Sequence, residues 1–510
     1  MNPAKAATVL LLLWSAASGA LTSEQAQWGQ RYTRNMVSDE TGLPEAFDPQ
    51  TKKNVKWLVK LGTDSYATPA VAVGKVFIGT NNSVPRDPRH HGDRGVLMCF
   101  EESDGGFCWQ LVVPKRGSDL PIFRDEDIRM LDWPGVGMCS TPSVEGDRVY
   151  MLTNRDEVVC LDIHGLADGN QGPYLDEGRH MTPPGQTPME TGPKDADILW
   201  LFDMPKELGV HQHDGPCASV LIHGQFLYVN SNNGIDSAHA RIRAPEAPSL
   251  VVLDKTTGRL LAQDDEHIGL NIVHSTWSSP ALGEVNGRTL IFFGGGNGVC
   301  YAFEALQDAP PPGQIAKLKK VWQFDCDPAA PKEDIRQYQG NRKVSPSNIK
   351  GMPVFYKNRV YVAAGGDMWW GKPQAWLKCI DATGTGDITK TGEVWSYEFQ
   401  NHCMSTPSIS GGLVFIAEVG RKVHCLDAET GKPCWVHQTS GEIWASTLAA
   451  DGKVYIGSRR GDFWVLAASK EKKILSTVEL GSPITATPVA ANGTLYIATA
   501  NQLYAVKKAE

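Results

Sequence analysis

The chain has 510 residues, 41% of them apolar and 21% charged, with 51 glycines, 32 prolines and a formal net charge of −8. A turn-rich, mildly acidic composition is that of a soluble folded protein, and it weighs against nucleic acid as a partner because no broad basic face is available. The length admits three average domains or one large repeat array, so internal periodicity decides the organisation.

In chain order, Lys5, the apolar run Ala6 to Trp14 and the small residues Ser15 to Ala20 read as an export signal, residues 1–20. The run is too short for a stable membrane span, nothing comparable follows, and no cysteine stands near the cleavage site to carry a lipid. The periplasm or secretion is therefore the expected compartment. Residues 21–53 form an N-terminal extension, followed by one strand, Val55 to Leu61, that contains Trp57.

From there a unit recurs. A Thr-Pro step and a hydrophobic-aromatic pair eight or nine residues on appear at Thr68-Pro69 with Val76-Phe77, Thr141-Pro142 with Val149-Tyr150, Thr406-Pro407 with Val414-Phe415, and Thr487-Pro488 with Leu495-Tyr496. Weaker copies begin at Ser219, Ser279, Met352 and Thr447, making eight, the last of them spaced by roughly 40 residues. The segments alternate with a period of 2, which specifies short antiparallel strands rather than helical repeats. About 40 residues of four strands is one propeller blade, so residues 54–510 are expected to fold as a single all-β, eight-bladed β-propeller of four-stranded antiparallel blades. After Thr487 only three strands remain, so the Trp57 strand is expected to complete the last blade and remove the open sheet edges.

The stretch "CLDAETGKPCW", Cys425 to Trp435, resembles the tryptophan-docking motif of the pyrroloquinoline-quinone-type propeller repeat: Asp427, Thr430, Gly431 and Trp435 match, with Cys425 in the place of an alanine. Cys99 to Trp109 keeps Gly105 and Trp109, Trp200, Trp322 and Trp395 fit the same role after longer turns, and Asp254 to Gly258 keeps the turn without the indole. The resemblance implies that Thr-Gly closes the hairpin of the last two strands while the indole wedges between blades. It implies a fold more than a function, since this family includes quinoprotein dehydrogenases, assembly scaffolds and sensors. The adjacent-cysteine pair and the Cys-x-x-Cys-His of its dehydrogenases are absent from this sequence, as is the lipid-bearing cysteine of its assembly lipoproteins.

In such a fold the connections between blades and those between second and third strands emerge on one face. That face receives 81–94, 114–137, 205–216, 234–248, 266–278, 326–351 and 366–375, whereas 163–198, 307–320 and 382–393 fall to the other. Eight of the 13 histidines lie on the first, His90, His91, His211, His213, His239, His267, His274 and His402, making it the expected working face. Residues just before each first strand stand nearest the channel, so Trp133, His213, Asp214, His274, Trp277, Lys350, His402 and Trp444, joined by Asp132, are expected to ring one pocket for an anionic or sugar-like ligand. "GGDMWWGKP" adds Trp369 and Trp370 as a stacking surface. Metal ligation by His213, His274 and His402 is a further possibility, although His211-x-His213 is the sole tight spacing.

Eleven cysteines leave at least one unpaired. Cys99 and Cys108, and Cys425 and Cys434, each bracket a hairpin turn; partners directly opposite across such a turn lie at about 4.5–5.5 Å, within disulfide reach, so two cross-strand disulfides are expected. The alternative is that Cys99, Cys160, Cys300, Cys379 and Cys425 fill the motif alanine's place as small buried hydrophobes.

Three functions follow from the sequence. The first is an exported propeller that binds a small-molecule, glycan or protein partner through the loop-rich face and performs no redox chemistry. The second is a quinone-dependent dehydrogenase with calcium, Asp132 or Asp214 acting as base and Lys343 or Arg342 touching the quinone oxygens. The third is a polysaccharide lyase or hydrolase with His402 or His274 as base and Lys350 neutralising a uronate.

Overall fold

Blade six shows how the repeat builds its sheet. Ser408–Ser410, Leu413–Glu418, Lys422–Asp427 and Pro433–Gln438 pair antiparallel in sequence order, as four short alternating strands must when tight turns join them. The Gly411-Gly412 turn between the first two has positive φ at both residues, and the same two-residue turn recurs at Val73-Gly74, Asn286-Gly287, Asp451-Gly452 and Asn492-Gly493; it matches the right-handed twist of the flanking strands. Second and third strands are buried on both faces because sheets stack on either side of them, whereas outer strands such as Glu393–Phe399 retain an exposed-buried alternation.

The structure is a computed structural model that describes residues 24–117, 120, 122–123, 131 and 133–509. The predicted signal segment and Asp132 lie outside these residues. Eight sheets form a ring, a β-propeller, their first strands starting at Ala70, Ser143, Leu221, Ala281, Val354, Ser408, Leu448 and Val489. Val55–Lys60 runs antiparallel to Gln502–Val506, with Trp57 opposite Ala505, in the sheet that also holds Val489–Ala491 and Thr494–Ala498.

Two repeated contacts join the blades. The indole N–H of each docking tryptophan donates to a backbone carbonyl on the following blade: Trp57 to Glu102 (3.0 Å), Trp109 to Ile163 (2.9 Å), Trp200 to Lys255 (3.1 Å), Trp322 to Ala382 (3.1 Å), Trp395 to Ala428 (3.1 Å) and Trp435 to Ser469 (2.9 Å). Trp200 lies flat over Gly258 and Trp395 over Gly431, both glycines at positive φ, where a Cβ would stand 2.5 Å from the indole. The Thr-Gly turn therefore needs glycine for its backbone and for the neighbouring ring alike.

The second contact explains the Thr-Pro step. The N–H groups of Thr68, Ser219, Met352, Thr406, Ser446 and Thr487 donate to the hydroxyls of Thr141, Ser279, Thr406, Ser446, Thr487 and Thr68 on the next blade, and the hydroxyls of Ser140 and Ser278 bridge the remaining two junctions to the carbonyls of Ala218 and Gly351. These hydrogen bonds run around all eight blades.

Two expectations are corrected. The insertions between third and fourth strands do not simply crown the opposite face. Ala316–Lys317 and Gly386–Asp387 add parallel strands to the outer edges of the preceding blades, and Asp195 bridges Gln110 in the same way; unpaired outer edges are thereby covered. The cysteine pairs are not directly opposed either. A β-bulge sets Cys99 opposite Trp109 and Cys425 opposite Trp435, leaving Cys108 and Cys434 as the extra residues. In this structure no bridge joins them, but Cys99 with Cys108 and Cys425 with Cys434 remain in side-chain contact across the bulge. Cys99, Cys160, Cys300, Cys379 and Cys425 are buried.

The N-terminal extension forms a plug against the first strands. Gln25, Ala26, Tyr32, Thr33 and Met36 accept, through their carbonyls, the N–H groups of Val71, Val144, Leu282, Phe355 and Ala449 on five first strands. The Asn35 amide brackets Ile409, and Ser38 donates to the Ala490 carbonyl. The remaining blade is reached by Arg34, wholly buried, whose guanidinium donates to the carbonyls of Ser219, Val220, Pro280 and Trp28. The inner strand edges that face the channel are thus paired at the end away from the loop-rich face.

Candidate functional site

At the loop-rich end, connections from consecutive blades converge. The segment between blades two and three brings His213 and Asp214; the loop between the second and third strands of blade three brings His239; the segment before blade four brings His274 and Trp277. Asp214 has φ +62°, a left-handed turn that presents its carboxylate to the two imidazoles, 3.5 Å from His213 Nε2 and 3.4 Å from His274 Nε2. His213 Nε2 and His239 Nε2 are 3.2 Å apart, and the His213 Nδ1 atom is 2.8 Å from the Ile235 carbonyl. All three histidines are buried.

Asp367, fully buried, is the hub of the site. One oxygen takes His274 Nδ1 at 3.2 Å, the Lys350 ammonium at 2.7 Å and the Asn348 amide at 3.3 Å; the other accepts the backbone N–H groups of Trp369 and Trp370, both at 3.0 Å. Burial pushes the Asp367 pKa up, but Lys350 and His274 outweigh it and hold the carboxyl well below the usual range. Burial lowers Lys350, against the pull of Asp367. His213 is pushed down to about 3 by burial, so its ring is neutral at ordinary pH. His274 goes the other way: burial lowers it, yet Asp214 and Asp367 together raise it.

Above this charged floor stands an aromatic rim. Trp369, 37% exposed, packs edge-on against His274, Trp277 and Trp444, while Trp370 lies against His239. The Lys350 ammonium is 4.2 Å from the Trp369 ring centre and 4.8 Å from that of Trp277, and Arg459 stacks on Trp444 at 3.8 Å. Arg342 fastens the tryptophan loop by donating to the carbonyls of Met368, Trp369 and Gly371.

The structure thus brings together His213, Asp214, His274, Trp277, Lys350, Trp369, Trp370 and Trp444 of the expected ring. His402 is beside the tryptophan loop but outside the imidazole group, where His239 takes the place expected for it. Trp133 is exposed, and Lys343 is exposed with its N–H closing the Asn341 turn. His239 and Asp367 are the side chains of the cluster hardest to place from sequence: each lies between second and third strands, where loop length does not tell which residue points to the axis. The run "GGDMWW" offered the one hint of an Asx-type turn that aims two indoles.

The cavity beside Trp370, lined by His239, Arg336, Tyr338 and Ser345, measures about 20 Å³, room for a water molecule. The buried donors of the site are the imidazoles of His213, His239 and His274 together with the oxygens of Asp214, Asp367 and Asn348.

A family model described as outer membrane protein assembly factor BamB matches residues 373–510. Among solved structures, BamB from Moraxella catarrhalis is 14% identical, covering 88% of this chain and 96% of its own with a TM-score of 0.51. A europium-containing methanol dehydrogenase is 11% identical over 94% of this chain and 98% of its own, TM-score 0.57. The computationally designed Ika8 protein is 11% identical over 89% and 99%, TM-score 0.50. No curated protein matches the chain in sequence. At these identities the likeness is one of fold.

Proposed function

We propose that this PQQ-like β-propeller is an exported binding protein that captures an anionic, sugar-like ligand or a partner segment presenting one, and that it performs no redox chemistry of its own. The observation that carries the reading is Trp369: a large indole left 37% exposed at the channel mouth, held from behind by Asp367 and Arg342 and flanked by Trp277 and Trp444. A preorganised aromatic face beside the Arg459 cation suits the apolar face of a sugar ring with a carboxylate at its edge. Export is supported by the leader-like N-terminus, and the match of residues 373–510 to an outer-membrane assembly factor model is compatible with it. Lys350 is engaged by Asp367 and roofed by two indoles, which speaks against its acting as the uronate neutraliser of a lyase.

The test is a thermal-shift and tryptophan-fluorescence titration of the mature protein with acidic oligosaccharides, with the quinone plus calcium as a separate arm. The expected result is a rise in Tm and fluorescence quenching with the acidic oligosaccharides, weakened at least tenfold in Trp369→Ala. A response to quinone plus calcium alone, accompanied by substrate-dependent dye reduction, would overturn the reading.

A further inference from the structure

We propose that His213, His239 and His274 hold a divalent transition metal of the zinc class through their Nε2 atoms, with the Asp214 carboxylate as the fourth ligand. The ligand atoms of the three histidines lie within 4.8 Å of one another, on side chains only 0%, 9% and 2% exposed. The 3.2 Å between His213 Nε2 and His239 Nε2 is close to the ~3.3 Å edge of a tetrahedral site with bonds of about 2.0–2.1 Å.

The opposite sides of the rings point to the same arrangement. His213 Nδ1 faces the Ile235 carbonyl and the His239 ring is hydrogen-bonded to the Ser237 backbone, each in the sense that favours a proton on that side. His274 Nδ1 faces Asp367. Second partners of this kind fix the tautomer that turns Nε2 lone pairs inward. Two such lone pairs facing each other at 3.2 Å repel unless a cation lies between them. His274 Nε2 is buried and faces the Asp214 carboxylate at 3.4 Å, the fourth ligand of the arrangement.

Charge agrees with this. The carboxylates of Asp214 and Asp367 outnumber the one ammonium in direct contact, Lys350, so a dication meets net negative charge. Three imidazoles and a carboxylate suit zinc and its neighbours rather than calcium or magnesium. A second buried group, Asp87, His90 and Asp195, differs in that Arg89 already pairs with both carboxylates.

The metal site stands independently of the proposed ligand, and its test uses metal alone. Tag-free mature protein is stripped with chelator, incubated with zinc or cobalt(II), desalted and analysed for metal, with Tm followed in parallel. One equivalent retained, a metal-dependent rise in Tm and the visible absorption of a low-coordinate cobalt site are expected. His239→Ala should retain less than a tenth of the metal, whereas His402→Ala should retain all of it. Because His239→Ala risks misfolding, X-ray absorption of the cobalt-loaded wild type counts imidazole ligands directly, three being expected. Retention below a tenth of an equivalent by the wild type, fewer than two imidazoles, or equal loading of folded His239→Ala would overturn the proposal.

Discussion

A buried side chain that cannot take up a proton records its surroundings in the pH dependence of folding. His90 is fully buried with both ring nitrogens unpartnered among the described residues, and burial, helped by the Arg94 guanidinium, pushes its pKa down to about 4. Between pH 6.5 and about 4 the unfolded chain binds a proton there that the folded chain does not, so stability falls as the pH falls through that window, by at most about 1.4 kcal/mol per unit. Urea midpoints at pH 7 and pH 4.5 check this. His90→Gln is expected to narrow the difference between the two, and an unchanged difference would place the loss elsewhere.

For the repeated element, the decisive contact is between an indole of one blade and a glycine turn of the next. Trp200 donates to the Lys255 carbonyl and covers Gly258, so Trp200→Ala removes a buried ring and leaves a cavity, with an expected cost of about 3–5 kcal/mol. Gly258→Ala acts from the other side: φ is +72° and the new Cβ would stand 2.5 Å from the indole, so it too is expected to destabilise. If the two changes act at one contact, the double variant loses less than the sum of the singles in denaturant melts. Strict additivity would show that turn and ring are energetically separate.

The molecule as a whole is pinned from within. Arg34 reaches two blades and the plug's own Trp28 carbonyl at once, and its planar fork serves four carbonyls in a site closed to water. Arg34→Ala leaves those acceptors buried and unpaired, with an expected cost of about 3 kcal/mol or more. Arg34→Lys is expected to lose nearly as much, since an ammonium cannot span the same acceptors. Thermal melts with hydrogen exchange at the inner strands measure both; a lysine variant as stable as the wild type would mean that charge alone is what the channel needs.

The sequence by itself determined the blade. Period-2 alternation, the Thr-Pro step and the Asp-Thr-Gly turn are local, and each recurs because every blade solves the same packing problem, so eight sheets and the docking tryptophans were legible without coordinates. Tertiary structure decided what depends on contacts between distant segments. The bulge that sets Cys99 against Trp109 is a matter of register, the path of residues 25–38 across the first strands is set by edges those strands leave unpaired, and the meeting of His213, His239, His274 and Asp367 arises where loops of blades two to five converge on one axis. The repeat register already put His213 and His274 before first strands and so near the axis. It carries no information on which residues of the long loops, His239 and Asp367, turn inward to join them across more than a hundred positions of chain.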